Sequence, residues 1–157
     1  MPVLEFPAFA AALPAKGALM GLDPGAKRIG VAVSDPGRVI ASSLDTVERK
    51  KFANDAKRIL ELYDGRACVG VVIGFALNMD GTSGPAAQAA RAFARNISLL
   101  REAPVLMWDE RLTTAAVTRT LIEADASRKR RAEVVDKMAA GYMLQGALDA
   151  LKELRGG

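Results

Sequence analysis

The apolar positions of this chain fall into short runs and periodic stretches that define its elements. ALMGLD (18–23) and RIGVAVSD (28–35) are apolar segments separated by a turn with Pro24 and Gly25, and they predict two strands. VIASSLDTV (39–47) follows across PGR, so three consecutive strands are expected as an antiparallel meander. Between 51 and 63, Phe52, Ala56, Ile59, Leu60 and Tyr63 recur at helical spacing, and Asp64-Gly65 ends the helix. ACVGVVIG (67–74) is an unbroken apolar run, the pattern of a strand covered on both faces. Residues 81–84 form a loop, and 85–102 an alanine-rich helix with Pro85 near its first turn and Thr82 or Ser83 as cap. PVLMWDE (104–110) predicts the last strand, and 113–124 a helix opened by threonines. A basic loop, SRKRR (127–131), then leads to a final helix from about 132 to 154. Ahead of the first strand, 6–13 predicts a short docking helix.

The order β-β-β-α-β-α-β-α-α specifies a mixed sheet with helices on its faces. No internal repeat or linker interrupts it, so 1–157 is expected as one domain, with 1–17 as an N-terminal extension. At 157 residues and 50% hydrophobic content, such a domain buries roughly two-thirds of its unfolded surface. One cysteine, Cys68, lies inside an apolar run, which excludes a disulfide framework, fits a reducing cytoplasm and marks a packing residue. The apolar stretch near the N-terminus lacks a basic leader and is too short to span a bilayer, so neither export nor a membrane partner is expected. Twenty-two Lys and Arg against 18 Asp and Glu give a charge of +4, which favours a polyanionic partner. Histidine is absent, so any catalysis rests on carboxylates, Lys, Ser/Thr or Tyr.

The feature that asks for chemistry is Asp23, a carboxylate inside the first apolar strand. Burying it is costly unless it is paired, hydrogen-bonded or bound to a cation. Alternation puts Asp23 on one face with Leu19 and Gly21. In the last strand Leu106, Trp108 and Glu110 share one face, and Val105, Met107 and Asp109 the other, so Asp109 and Glu110 cannot both turn to one site. Helical spacing aligns Asp136 with Ala139, Ala140 and Met143, and the alanines let that face lie close to a sheet. Glu133, one turn earlier, is a weaker fourth candidate. Carboxylates gathered together repel unless a cation separates them. With no histidine or cysteine set for zinc, Mg²⁺ or Mn²⁺ fits the oxygen donors, and a pair of such ions can drive phosphodiester hydrolysis.

Four blocks, GLDPGAKRIGVAVSD, NMDGTSGP, DERLTT and SRKRRAEVVDKMAAGYMLQGAL, resemble in order the signature blocks of the bacterial YqgF-type family. Its members are named as pre-16S rRNA nucleases and as Holliday junction resolvases. The resemblance implies an α/β, ribonuclease H-like mixed five-stranded sheet with helices on both faces. It implies a metal-dependent nuclease, a hydrolase of phosphodiester bonds, with Asp23, Glu110 and Asp136 as the acids that hold the metals, choosing Glu110 over Asp109. The implied partner is nucleic acid, either the 5′ end of pre-16S rRNA in ribosome biogenesis or branched DNA. A ribosomal association and the oligomeric state stay open. One departure stands out: the family reads Gly-Leu-Pro before NMDG, whereas this chain has Gly74-Phe75-Ala76-Leu77.

Lys27 and Arg28, in the turn after Asp23, are candidates to hold a phosphate, as are Arg128, Lys129, Arg130 and Arg131 ahead of Asp136. Arg111 could orient Glu110 or contact phosphate. Arg49, Lys50 and Lys51 read as a solvated helix start, and Phe75 and Trp108 as packing residues. Two rival classes fit the sequence less well. A phosphotransferase built around DPGAKRIG needs two domains closing on ATP, and one is expected here. A nucleic-acid-binding module with weak or lost cleavage conflicts with the intact set of acids.

Overall fold

The computed structural model describes residues 3–25, 27–75, 84–109 and 128–154, and for 128–137 the backbone alone. In chain order the elements are β1 (Val3–Leu4), α1 (Phe6–Ala12), β2 (Ala18–Pro24), β3 (Arg28–Ser34), β4 (Ala41–Glu48), α2 (Phe52–Gly65), β5 (Cys68–Phe75), α3 (Pro85–Ser98), β6 (Val105–Asp109) and α4 (Arg128–Leu154). The strands form one sheet in the order β1-β6-β5-β2-β3-β4. β2, β3 and β4 make the expected antiparallel meander, while β5 and β6 join parallel to β2 and to each other. The helix expected at 113–124 and the caps at Thr82 and Ser83 lie outside the described residues; Gly84 stands at the α3 N-cap.

The sheet has six strands rather than five. β1 pairs parallel with β6, Val3 opposite Val105 and Leu4 opposite Leu106. Two residues carry no readable period, so the pattern could not announce this strand. The N-terminal segment is therefore built into the fold rather than appended to it. Phe9 of α1 is fully buried, and a Cβ on Gly70 of β5 would lie 2.9 Å from Leu13.

Strand alternation sorts the core onto two faces. Met20, Leu22, Val31, Ile73 and Val105 pack with Ile59 and Tyr63 of α2 and Phe93 and Ile97 of α3. Leu19, Ala32, Val72 and Leu106 pack with Phe9 of α1 and Ala140, Met143, Leu144 and Ala147 of α4. On that second face α4 comes unusually close. A Cβ on Gly21 would lie 2.9 Å from the Leu144 Cβ and 3.4 Å from the Ala140 carbonyl oxygen. Gly141 is equally tight against β4, where its Cβ would lie 2.8 Å from Ser43 Oγ. The Gln145 amide also ties α4 to this edge, accepting from Ala41 N at 2.9 Å and donating to Val39 O at 2.9 Å.

These contacts fix the direction of α4. Ala41 meets Gln145 and Ser43 meets Gly141, so the helix number falls as β4 advances. β4 runs parallel to β2, being two antiparallel steps away. The helix therefore runs opposite to β2, and its N-terminal turns lie toward the end of β2 that carries Asp23. Those turns include the basic run: Arg128, Lys129, Arg130 and Arg131 are helical, where a loop was expected. Arg and Lys are good helix formers, and no Gly or Pro interrupts 128–132, but a charge run has no apolar period to reveal it.

The β3–β4 hairpin is closed by Asp35, whose Oδ1 accepts from Val39 N and Ile40 N, each at 2.8 Å. Those backbone bonds hold its carboxyl below the ordinary value of 3.8.

Gly21→Ala should lower stability by about 1–3 kcal/mol in urea unfolding, because Leu144 Cβ cannot rotate away. Gly65→Ala is the matched control: its Cβ would meet open space, so the expected change is neutral to a gain of about 0.5–1 kcal/mol. The contribution of Asp35 is complete above its unfolded pKa and is lost as pH falls through the lowered folded value. Melting temperatures followed from about pH 6 to about pH 3 should thus fall less steeply in Asp35→Asn than in the parent.

Candidate active site

Asp23 is the penultimate residue of β2 and is half-buried. It stands opposite Gly30 of β3, one step beyond the Leu22–Ile73 pair with β5. On the β5 side the next residue is Gly74, which pairs with Trp108 of β6 and places no side chain beside the carboxylate. The chain leaves β2 toward β3 on one side, while β5 and β6 lie on the other. Such a reversal opens a crevice at the carboxyl ends of parallel strands, where ligands settle in open α/β sheets. Asp23 lies on the α4 side, two residues after Gly21.

The turn after Asp23 is held from three directions. Gly25 N donates to Asp23 O at 3.1 Å and to Arg28 O at 2.8 Å, and a Cβ on Gly25 would come within 2.8 Å of that same Arg28 oxygen. Arg49 closes the turn from outside, its main-chain N donating to Lys27 O at 2.9 Å and its Nη1 to Gly25 O at 2.7 Å. The guanidinium also lies 5.8 Å from the Phe93 ring centroid, in reach of a cation–π contact. Arg49 is thus a clamp on the turn, where the sequence read it as a solvated helix start. Its partner is 24 residues away, a distance at which no local pattern speaks. Lys27 is exposed in this turn, and Arg28 pairs with Glu48 across the β3–β4 ladder at 3.3 Å.

The other expected site residues divide by what is described. Glu110 and Arg111 lie outside the described residues, as do Ala76 and Leu77 of the departing loop. Asp136 is in α4, one turn before Ala140, with its backbone alone described, and Arg128–Arg131 occupy the first turns of the same helix. Asp109 ends β6 opposite Phe75, on the side of the sheet away from Trp108. Leu106 and Trp108 are on the α4 side, and the Trp108 ring sits 6.1 Å from Phe6, so it packs as expected. Among the described residues no three acid, His or Cys side chains come together as a metal site; of the three expected ligands only Asp23 has a described side chain. Cys68 is buried, and burial pushes its thiol up to about 11, which removes it as a nucleophile. No helix among the described residues is long and apolar enough to cross a membrane.

Sequence reasoning missed Arg91 and Arg95 of α3, which line a cavity of about 500 Å³ together with Val3, Gln88 and Met107. The signal was present as two arginines four apart in an alanine-rich helix with no acid beside them (AARAFAR).

Comparison with known proteins identifies the family by sequence and the fold by structure. A protein 56% identical over 156 residues, from Caulobacter vibrioides, is named "Putative pre-16S rRNA nuclease"; the match spans 98% of this chain and 100% of that one. A Paracoccus denitrificans protein of the same name is 57% identical over 146 residues, 93% of this chain and 92% of the relative. Among solved structures, the fowlpox virus Holliday junction resolvase superposes with a TM-score of 0.51 at 14% identity, over 87% of this chain and 99% of that one. That likeness shows the fold, a ribonuclease H-like α/β arrangement. Residues 17–150 match the RuvX family, described as Holliday junction resolvase, and the chain therefore belongs to that family, whose chemistry is phosphodiester hydrolysis.

Proposed function

We propose that the protein is a divalent-metal-dependent nuclease that processes the 5′ end of pre-16S rRNA. The observation that carries this reading is Asp23, a half-buried carboxylate at the crevice of the sheet, on the face covered by the helix that contains Asp136. Leu106 and Trp108 both lie on that face, which supports Glu110, expected to alternate with them in the sequence, as the third acid. The donor set consists of carboxylate oxygens in a chain without histidine, which fits Mg²⁺ or Mn²⁺ and not zinc. Two such ions, when bound, would supply charge stabilisation at the scissile phosphate and lower the pKa of the attacking water.

The remaining work falls to the chain. Asp23, Glu110 and Asp136 would hold the metals and orient the water that adds to phosphorus as the ester oxygen leaves. Gly74 leaves room for the phosphate beside Asp23. Lys27, in the clamped turn, and Arg128, Lys129, Arg130 and Arg131, at the amino end of α4, would hold the flanking phosphates. Cations at a helix N-terminus oppose the helix dipole, a local cost that a polyanion bound there removes. Arg28 is divided between phosphate and Glu48, and Arg111 follows Glu110 directly. The pre-16S reading rests on the names of relatives that match nearly end to end. It carries with it a cytoplasmic location and work alongside the assembling ribosomal subunit. The second reading, resolution of branched DNA, is favoured by the family description.

Labelled pre-16S leader RNA and a four-way DNA junction, incubated side by side, decide between the two. The leader should be cut with Mg²⁺ or Mn²⁺ and left whole with EDTA. Asp23→Asn should slow cleavage by about 10²–10³-fold or more while leaving metal-free binding in place. Selective cutting of the junction would move the function to recombination, and binding of both without cleavage would sink the nuclease reading. Cys68→Ala should cut at the parental rate, and iodoacetamide should spare the native enzyme, because its one thiol is buried and protonated.

A further inference from the structure

The cavity lined by Val3, Gln88, Arg91, Arg95 and Met107 lies on the opposite side of the sheet from α4, between α3 and the β1–β6 edge. Its volume of about 500 Å³ is within the range of small-ligand sites. Val3 and Met107 pack against the core and give it an apolar floor. Gln88, Arg91 and Arg95 are exposed along one side of α3.

The arginines set this cavity apart. Five other described arginines tie parts of the structure together, while Arg66, at the end of α2, is exposed like Arg91 and Arg95 but lines no cavity. Arg28 pairs with Glu48, Arg58 with Asp45 and Arg101 with Asp64, while Arg38 and Arg49 bond to main-chain carbonyls. Among the described residues, Arg91 and Arg95 have no carboxylate partner, and no acid joins them in the lining. Helical positions four residues apart are about 6 Å apart along the axis, a step from which two exposed arginines can reach adjacent phosphates of an extended strand. An apolar floor beneath them accommodates a base that is not stacked in a duplex.

We propose that this cavity is a second binding site for the substrate, one that takes single-stranded nucleic acid. Arg91 and Arg95 hold two consecutive phosphates, and a base rests on Val3 and Met107. α3 crosses back between the parallel strands β5 and β6, so its first turn is at the strand-end edge that carries Asp23. A strand engaged at that edge continues along Gln88, Arg91 and Arg95, on the far side of the sheet from α4. The site therefore favours substrates with an unpaired flank. The nuclease reading supplies the identity of the polyanion, and the test keeps the two separate.

Binding of a fluorescent single-stranded RNA and of an RNA hairpin without overhangs is measured by anisotropy in EDTA, where no cleavage intervenes, across a salt series. Arg91→Ala/Arg95→Ala should weaken single-strand binding about tenfold. It should also lower the salt slope by about 1.4, or about 0.7 for each phosphate. The hairpin should be affected far less, and Arg91→Lys/Arg95→Lys should recover most of the lost affinity. Both arginines are exposed, so the melting temperature should not move. Unchanged affinity and slope in the alanine pair would overturn the proposal. So would a loss shared equally by the hairpin, or one that the lysine pair fails to restore. If the arginine-dependent binding holds while no substrate is cut with Mg²⁺ or Mn²⁺, the nuclease reading fails and this site stands.

Discussion

The contact on which the rest of the structure depends is the seating of α4 on β2 at Gly21. A helix normally stands about 10 Å from a sheet, separated by two layers of side chains. At this one point the sheet's layer is missing: Gly21 offers only backbone, while Ala140 and Gly141 on the helix are small. The helix settles until the Gly21 backbone touches Leu144, and that depth fixes its direction and its distance from the end of β2. Two further features follow from it. The amino end of α4, with its run of cations, comes to the edge where β2 ends, and the crevice beside Asp23 acquires a wall. A helix seated one methyl group higher would slacken both.

A second constraint is the turn from Gly25 to Arg28. Strand ends fray when their hydrogen bonds run out, and Asp23 is one residue from the end of β2. Arg49 counters this by reaching from the end of β4 to two carbonyls of the turn while its guanidinium rests against Phe93 of α3. Sheet, turn and helix are thereby joined through one side chain. Several such exposed bonds are each worth little singly, but together they restrict the region where Asp23 must hold its position.

The sequence revealed the parts of this fold whose information is periodic. The meander, α2, β5, α3 and β6 were legible because apolar residues recur at 2 or 3.6, and Asp23 was conspicuous because it breaks an apolar run. β1 was not, because Val3–Leu4 is shorter than any period and its partner Val105 is about a hundred residues away in the chain. The start of α4 was hidden because Arg128–Arg131 mark a solvated surface whether helical or not. The roles of Arg49, Arg91 and Arg95 depend on which carbonyls or apolar floors lie near them in space. Arg49 looks like any charge ahead of a helix, yet it is bound, while Arg91 and Arg95 look like ordinary solubilising charges, yet they flank a cavity.

The depth at which α4 sits also bears on how the protein is made. The helix covers Leu19, Ala32, Val72 and Leu106, and among the described segments it is the last to be synthesised. Until its final turns have left the ribosome, the short α1 is, among the described residues, the one other helix packed on that apolar side of the sheet. A chain cut short after β6 would display a bare hydrophobic sheet to chaperones and proteases. Emergence of α4 and concealment of that side of the sheet are thus a single event. Truncated products are marked for removal by the surface they fail to cover.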